Sequence, residues 1–212
     1  MFDLKKEKKE DYNVLKPGLN KVSVQFNLVT KDDKNDIVIN FKKSKEVKAA
    51  LWLNNPENKI FEESVTANNK VMTAEFKKVL YENAVITALR QVFNAVVGNE
   101  TEWVAMSNSV EGKLTMAELY DTIKGYLEDK HPDYWKKQVY VALTQYKNNL
   151  RVACLVQGKN GNWYPDESFN TKFVSDVPFE PVHVEEYKAD EIEMVAGDTP
   201  EDDAAAKATA DW

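Results

Sequence analysis

Residues 21–41 read KVSVQFNLVTKDDKNDIVINF. Apolar side chains alternate with polar ones in the first part, and the alternation returns after the polar segment KDDKND. The apolar members are Val22, Val24, Phe26, Leu28, Ile37, Ile39 and Phe41. A period of two is typical of strands with one buried face, and a short charged segment between two such runs predicts a turn. The stretch therefore predicts two half-buried strands joined by a turn.

Two more alternating segments come later, KKQVYVALTQY at 136–146 and LRVACLVQ at 150–157. Asn148 and Asn149 between them suit a two-residue turn, which needs positive φ. That turn places Tyr146 directly across from Arg151. It also gives one consistent apolar face, made of Val139, Val141, Leu143, Val152, Cys154 and Val156.

A further two-residue turn is predicted at Asn160-Gly161. It places Tyr164 opposite Gln157, in one row with Tyr140 on the second face of this strand pair.

Two helices are predicted between these strand regions. The first covers 73–97 and ends at Gly98, and its apolar residues recur at steps of three and four: Phe76, Val79, Leu80, Ile86, Leu89, Val92, Phe93, Val96 and Val97. The second covers 115–129 and starts with a capping box of Thr115 and Glu118. Two weaker predictions are a short helix after Ser44 through KEVKAALWL and a strand over TEWVAMS at 101–107. The chain is thus predicted to be α+β with a predominantly antiparallel sheet.

Composition limits the class of protein. The chain has 212 residues, of which 43% are hydrophobic, enough for one folded domain. No apolar run reaches the ~20 residues that cross a bilayer, no export signal is seen, and the single cysteine, Cys154, suits a reducing compartment. We expect a soluble cytoplasmic protein (host cytoplasm if phage-encoded) without membrane contact. Its expected parts are a charged leader at 1–13, a body at 14–184 and an acidic tail at 185–212.

Charge is distributed unevenly along the chain. The net charge is −7, but residues 185–212 hold ten acidic and two basic residues, which is −8. The other 184 residues hold 26 basic and 25 acidic groups, which is +1. Because the acidity belongs to the tail, the overall charge does not exclude nucleic acid as a partner of the body.

Aromatic and basic side chains recur together in the strand regions. Aromatic rings stack on bases while cations contact phosphates, so such surfaces favour single-stranded nucleic acid. The candidate binding residues are Lys42, Lys43 and Lys45 (with Lys48 nearby) beside Trp52, and Lys136, Lys137, Tyr140, Tyr146, Lys147, Arg151, Trp163 and Tyr164. The alternative is that the tyrosine face packs under the long helix as core, since tyrosine is a favoured strand residue.

The chain ends in GDTPEDDAAAKATADW, with an indole beside the terminal carboxylate. An aromatic ring next to acids can dock into an apolar pocket with a basic rim. Here the chain resembles bacterial and phage replicative single-stranded DNA-binding proteins, in the residues Asp198, Glu201, Asp202, Asp203, Asp211 and Trp212. The resemblance implies an OB-like body that binds single-stranded DNA in replication and recombination. It also implies that the tail recruits replication proteins (polymerase, helicase or primase) and restrains nonspecific binding by the body.

Two other classes of protein are alternatives. For an enzyme, the sequence offers only His131 and His183, no cysteine cluster and no Walker loop. Glu-x-Lys pairs such as Glu46/Lys48 arise readily by chance in so charged a chain. We therefore predict no catalytic residue, metal, cofactor or small-molecule substrate. The remaining alternative is a phage virion structural or assembly protein.

Overall fold

A computed structural model of the chain describes residues 14–66, 69–147 and 149–184. The predicted leader at 1–13 and tail at 185–212, including the acids and Trp212, lie outside the described residues. The strands are β1 Gly18–Lys31, β2 Lys34–Lys42, β3 Lys48–Leu53, β4 Ser64–Val65, β5 Val71–Met72, β6 Gln138–Tyr146, β7 Asn149–Val152, β8 Leu155–Gln157, β9 Trp163–Pro165 and β10 Val174–Ser175. The helices are α1 Ala74–Val97, α2 Glu100–Asn108 and α3 Met116–Lys130, with 3₁₀ turns at Pro56–Asn58 and Tyr134–Lys136. The fold is α+β with an antiparallel sheet, as predicted.

The strand pair predicted at 21–41 is confirmed and is longer than expected. β1 and β2 pair antiparallel from Ser23 with Lys42 to Lys31 with Lys34. The turn between them is Asp32-Asp33, whose φ angles of 50° and 61° match the right-handed twist of a tight hairpin.

The main sheet has the neighbours β3, β2, β1 and β6 in that order. Leu143 in β6 pairs with both Gly18 of β1 and Val152 of β7, so β7 lies on the opposite edge of β6 from β1. β10 pairs with β6 on that same edge. β3 at the other end of the sheet lies beside β7, so the sheet curls until its two ends approach each other.

The hydrophobic core lies between the inward face of this sheet and the helices. α3 packs against β1 and β2, while α1 packs against β6 and β10. Phe93 of α1 joins the helices to one another, with its ring centroid 5.4 Å from Trp103 and 5.6 Å from Tyr126. The largest fully buried side chains are Phe41, Phe93, Phe173, Ile37, Ile39 and Leu53.

The ends of the two predicted helices are confirmed. The Thr73 side chain accepts a hydrogen bond from the Phe76 amide, and Gly98 ends α1 with a left-handed φ of 79°. In α3 both hydrogen bonds of the capping box between Thr115 and Glu118 are present.

The two weaker predictions are wrong. The segment after Ser44 forms β3, because Ala49, Leu51 and Leu53 repeat every second residue and β2 supplies a pairing edge. Ser44 accepts a hydrogen bond from the Val47 amide, which is a local turn that resembles a helix cap in sequence.

The segment TEWVAMS belongs to α2 instead of a strand. Asn99 caps this helix by accepting from the Thr101 amide. Trp103 and Met106, three residues apart, are the side chains that α2 buries.

The register predicted for the later hairpins is also wrong. Tyr146 pairs with Asn149 and Thr144 pairs with Arg151, so the turn begins directly after Tyr146, one residue earlier than predicted. Lys147, with φ of 54°, supplies a positive φ to this turn. Each partner moves by two residues, so the inward and outward sets of side chains stay the same up to Val152, where β7 ends. The predicted apolar face is wrong at Val156, which is 36% exposed while Leu155 is buried, because these residues belong to the next strand.

β8 and β9 form a separate two-stranded sheet. Trp163 pairs with Gln157 and Tyr164 pairs with Val156, so the predicted pairing of Tyr164 with Gln157 is wrong. The loop between the strands covers five residues, 158–162, because the Gly158 amide bonds to the Asn162 carbonyl and closes it as a wider turn. Tyr164 consequently does not share a row with Tyr140.

Candidate nucleic-acid interface

The outward face of β1, β2 and β3 carries a concentration of lysines. Strand alternation and register place five of them on this face: Lys21, Lys31, Lys34, Lys42 and Lys48. Trp52 lies on the same face and is 53% exposed. We call this surface the lysine face and define it by these six residues.

The lysine face holds one acid among its strand positions, Asp36. This side chain is only 6% exposed and accepts a hydrogen bond of 2.7 Å from the Asn55 amide. The Asp36 carboxylate therefore contacts the segment that follows β3. The exposed charge on the lysine face is positive.

Cross-strand pairing brings the basic groups into rows. Lys48 is beside Lys42, and Lys42 is beside Ser23, which in turn pairs with Gln138 of β6. In the next row Lys21 is beside Tyr140, with the ammonium 5.7 Å from the ring centroid. The basic surface therefore continues across four strands to the half-buried Tyr140.

The lysines of this face keep their charge available. The four ion pairs within the described residues involve Lys124, Lys130, His131 and Lys136. On the lysine face, Lys42 donates to the Gln25 side-chain oxygen and Lys34 donates to the Glu57 carbonyl. These neutral partners orient the ammonium groups without neutralising them.

A second group of basic and aromatic side chains lies at the β6–β7 turn. The Arg151 guanidinium is 5.0 Å from the centroid of the Tyr146 ring, and the Lys147 ammonium is 5.8 Å from it. Arg151 pairs with Thr144, so it reaches Tyr146 diagonally and not directly across the hairpin as predicted. This turn places two cations around one half-buried ring.

Tyr140 and Tyr146 point to the same side of β6 but do not form an open platform. Ala142 and Thr144 between them are both 0% exposed. The predicted tyrosine face is therefore divided into two separate half-buried positions.

The other predicted binding residues are scattered. Lys43 donates to the Val14 carbonyl, Lys45 is exposed in the β2–β3 loop, and Lys136 pairs with Asp133 at 2.7 Å. Lys137 is half-buried, just before β6.

Trp163 and Tyr164 belong to the small β8–β9 sheet. The Trp163 ring lies 3.8 Å from the His183 ring, and the Asn160 amide donates to the Tyr164 hydroxyl, which lowers the pKa of that tyrosine. The structure does not bring these two aromatics together with Tyr140.

Sequence reasoning missed Lys21, Lys31 and Lys34 as members of the basic surface. Their signal is present in the alternation of β1 and β2, where they occupy the polar positions. What the sequence did not reveal is that β1 pairs with β2 on one edge and with β6 on the other. That pairing is what joins these lysines to Lys42, Lys48 and Tyr140.

Glu102 and Cys154, away from the lysine face, are held in structural contacts. Glu102 lies 2.7 Å from His131 Nε2 and 3.1 Å from the Tyr126 hydroxyl, and these hydrogen bonds hold its pKa below the usual range. Burial raises the pKa of the Cys154 thiol to about 11, so it is protonated at neutral pH. Within 14–66, 69–147 and 149–184 there is no group of three His, Cys, Asp or Glu side chains that could hold a metal ion.

Comparison with protein-family models, with characterised proteins and with solved structures finds no match to this chain. In the part of the chain that the structure describes, no helix has both the length and the apolar character needed to span a membrane.

Proposed function

We propose that this chain binds single-stranded DNA on its lysine face, as a protein of phage-type DNA replication and recombination. The observation that carries the proposal is the arrangement of five lysines and an exposed tryptophan on one sheet face whose single acid is buried. Cations that follow a phosphate backbone, together with a ring on which bases can stack, are what single-stranded nucleic acid requires of a protein.

The strand order supports an OB-like barrel for the body. An OB-fold is a five-stranded, partly open Greek-key barrel that binds oligonucleotides on the face of its second and third strands. In this chain the order around the curled sheet is β1, β2, β3, β7 and β6, with β6 paired again with β1 and β3 lying beside β7. The helices are inserted between β3 and β6, the third and fourth of these strands in chain order. The lysine face includes the second and third strands, and Tyr146, Lys147 and Arg151 lie at the loop between the fourth and fifth.

The proposed mechanism separates two kinds of contact. Lysines neutralise phosphates and release counterions, which makes binding sensitive to salt. Trp52 stacks on a base, and such a contact is worth about 1–3 kcal/mol. Tyr146 with Arg151 offers a second stacking position at the edge of the surface, and Tyr140 with Lys21 a third.

The acidic C-terminal segment completes the proposal. Residues 197–212 recruit other replication proteins through Asp211 and Trp212 and compete with DNA for the lysine face. The support for this part is compositional: a body of about neutral charge is joined to residues 185–212, whose net charge is −8.

The test is a titration of the protein with oligo-dT, followed by tryptophan fluorescence across a salt series. For single strands the slope of log affinity against log salt becomes shallower by about 0.7 for each phosphate that the protein no longer neutralises. The double variant Lys42→Gln, Lys48→Gln is therefore expected to show a slope shallower by about 1.4.

The matched control is Lys113→Gln with Lys130→Gln, which removes the same charge from exposed positions before and at the end of α3. This control should keep the wild-type slope. Equal slopes for the two double variants would place the DNA elsewhere. Absence of oligo-dT binding at low salt would reject the proposal and leave the virion or assembly protein as the better interpretation.

A further inference from the structure

The first half of α1 exposes an apolar stripe. Phe76, Val79, Leu80 and Ile86, four of the apolar residues whose spacing predicted this helix, are 41–45% exposed. With Asn83 and Arg90, also exposed, they recur at steps of three and four and so lie on one side of the helix. We call these six residues the α1 stripe.

The core side of α1 is made by other residues. Ala84, Val85, Ala88, Leu89 and Val92 are at most 7% exposed. At 3.6 residues per turn, their mean direction is roughly opposite to that of the α1 stripe. The helix is thus apolar on two sides, and only one of them packs against the part of the chain that the structure describes. A helix that is apolar on opposite sides is normally buried on both.

We propose that the α1 stripe is covered by the same stripe of a second copy of this chain, in an antiparallel helix pair around a two-fold axis at Asn83. An isologous contact of this kind requires a surface that is complementary to itself. In this alignment Leu80 meets Ile86 of the second copy, and Val79 meets its Thr87. Asn83 meets its own equivalent and satisfies its amide by a mutual hydrogen bond.

Charge selects the antiparallel alignment. Arg90 falls beside Glu75 and Phe76 of the second copy, which gives an opposite-charge contact and a cation–π contact at each end of the pair. Glu75 and Arg90 are both exposed, and neither takes part in the ion pairs of the described residues. A parallel pair would instead place each of these charges next to its own equivalent.

The length of the contact predicts a reversible dimer. Residues 76–90 span about 21 Å of helix. A single helix pair of this length is at the small end of specific interfaces. Association is therefore expected to depend on protein concentration over an accessible range.

The test is sedimentation analysis of the full chain across a concentration series. Leu80→Asp alone and Ile86→Lys alone should each weaken self-association by on the order of 100-fold, because a charge enters the centre of the contact twice per dimer. Both positions are largely exposed, so each variant should keep the far-UV spectrum and unfolding temperature of the wild type.

The discriminating step is to mix the two variants. In a mixed dimer, the aspartate introduced in one chain meets the lysine introduced in the other, while the native Ile86 and Leu80 meet at the second site. Mixing should therefore restore association. A wild-type chain that stays monomeric would overturn the proposal and leave the stripe to a different protein. A dimer that persists in Leu80→Asp, or variants that do not associate when mixed, would also overturn it.

Discussion

Single side chains decide how the lysine face would hold DNA, and Trp52 is the most informative of them. Trp52 is 53% exposed. Its cross-strand partner Val38, on the same face, is only 4% exposed. Trp52→Ala is expected to weaken oligo-dT binding by about 1–3 kcal/mol, the value of one stacked base.

Trp52→Phe is the matched control, because it keeps a ring on which a base can stack. Most of the affinity should return in this variant. The thermal midpoint of both variants should stay close to that of the wild type, since the side chain contributes little to the core. An unfolded Trp52→Ala, or unchanged DNA binding by it, would show that the residue packs and does not stack.

Glu102 is the side chain that links α2 to the end of α3. Its lowered pKa means that the folded state favours the carboxylate, with the His131 hydrogen bond as the largest cause. Stability from this group is therefore present above the ordinary Glu pKa of about 4.3 and is lost as pH falls below it. Glu102→Gln should lower the free energy of unfolding by roughly 1 kcal/mol at pH 7.

Denaturant titrations between pH 3 and pH 7 measure this difference directly. The gap between wild type and Glu102→Gln should close at the acid end. Glu128→Gln, which removes the exposed partner of Lys124, should have little effect at any pH. A gap of the same size at both ends of the range would contradict a role for the charge.

At the scale of elements, the sequence predicted those whose signals are local. The period of two in β1 and β2, the cap at Thr115 and the stop at Gly98 each depend on neighbours within a few residues. β3 and α2 were misassigned because both are short and take their identity from distant partners: the edge of β2 for β3, and the core around Phe93 for α2.

Gly98 tests one of these local signals. Its φ of 79° is strained for a residue with a side chain, and an added Cβ would lie 2.9 Å from the Lys137 ammonium. Gly98→Ala should destabilise the protein by about 1 kcal/mol.

Gly125→Ala is a matched control, for which we expect the opposite change in stability. Gly125 lies within α3 and has open space around it, so Gly125→Ala should stabilise the protein by roughly 0.5–1 kcal/mol. Thermal unfolding of the two variants measures both effects. A neutral Gly98→Ala would mean that the helix end can relax without strain.

At the scale of the whole molecule, the candidate site could be predicted only in part. The sequence grouped Lys42 and Lys48 with Trp52, since these are close along the chain. It did not group them with Lys21 and Tyr140, because that neighbourhood is created by β1 pairing on both of its edges. It placed Tyr164 in one row with Tyr140, but Tyr164 belongs to a separate sheet that forms after the chain leaves β7 at Ala153 and Cys154.

The central claim is that the lysine face is the surface that contacts single-stranded DNA. Lysine acetylation, read by mass spectrometry with and without oligo-dT at low salt, tests it most directly. We expect DNA to protect Lys21, Lys42 and Lys48 from acetylation, while Lys113, Lys124 and Lys130 react as in the free protein. Equal protection at all six positions, or protection confined to the helical lysines, would contradict the account.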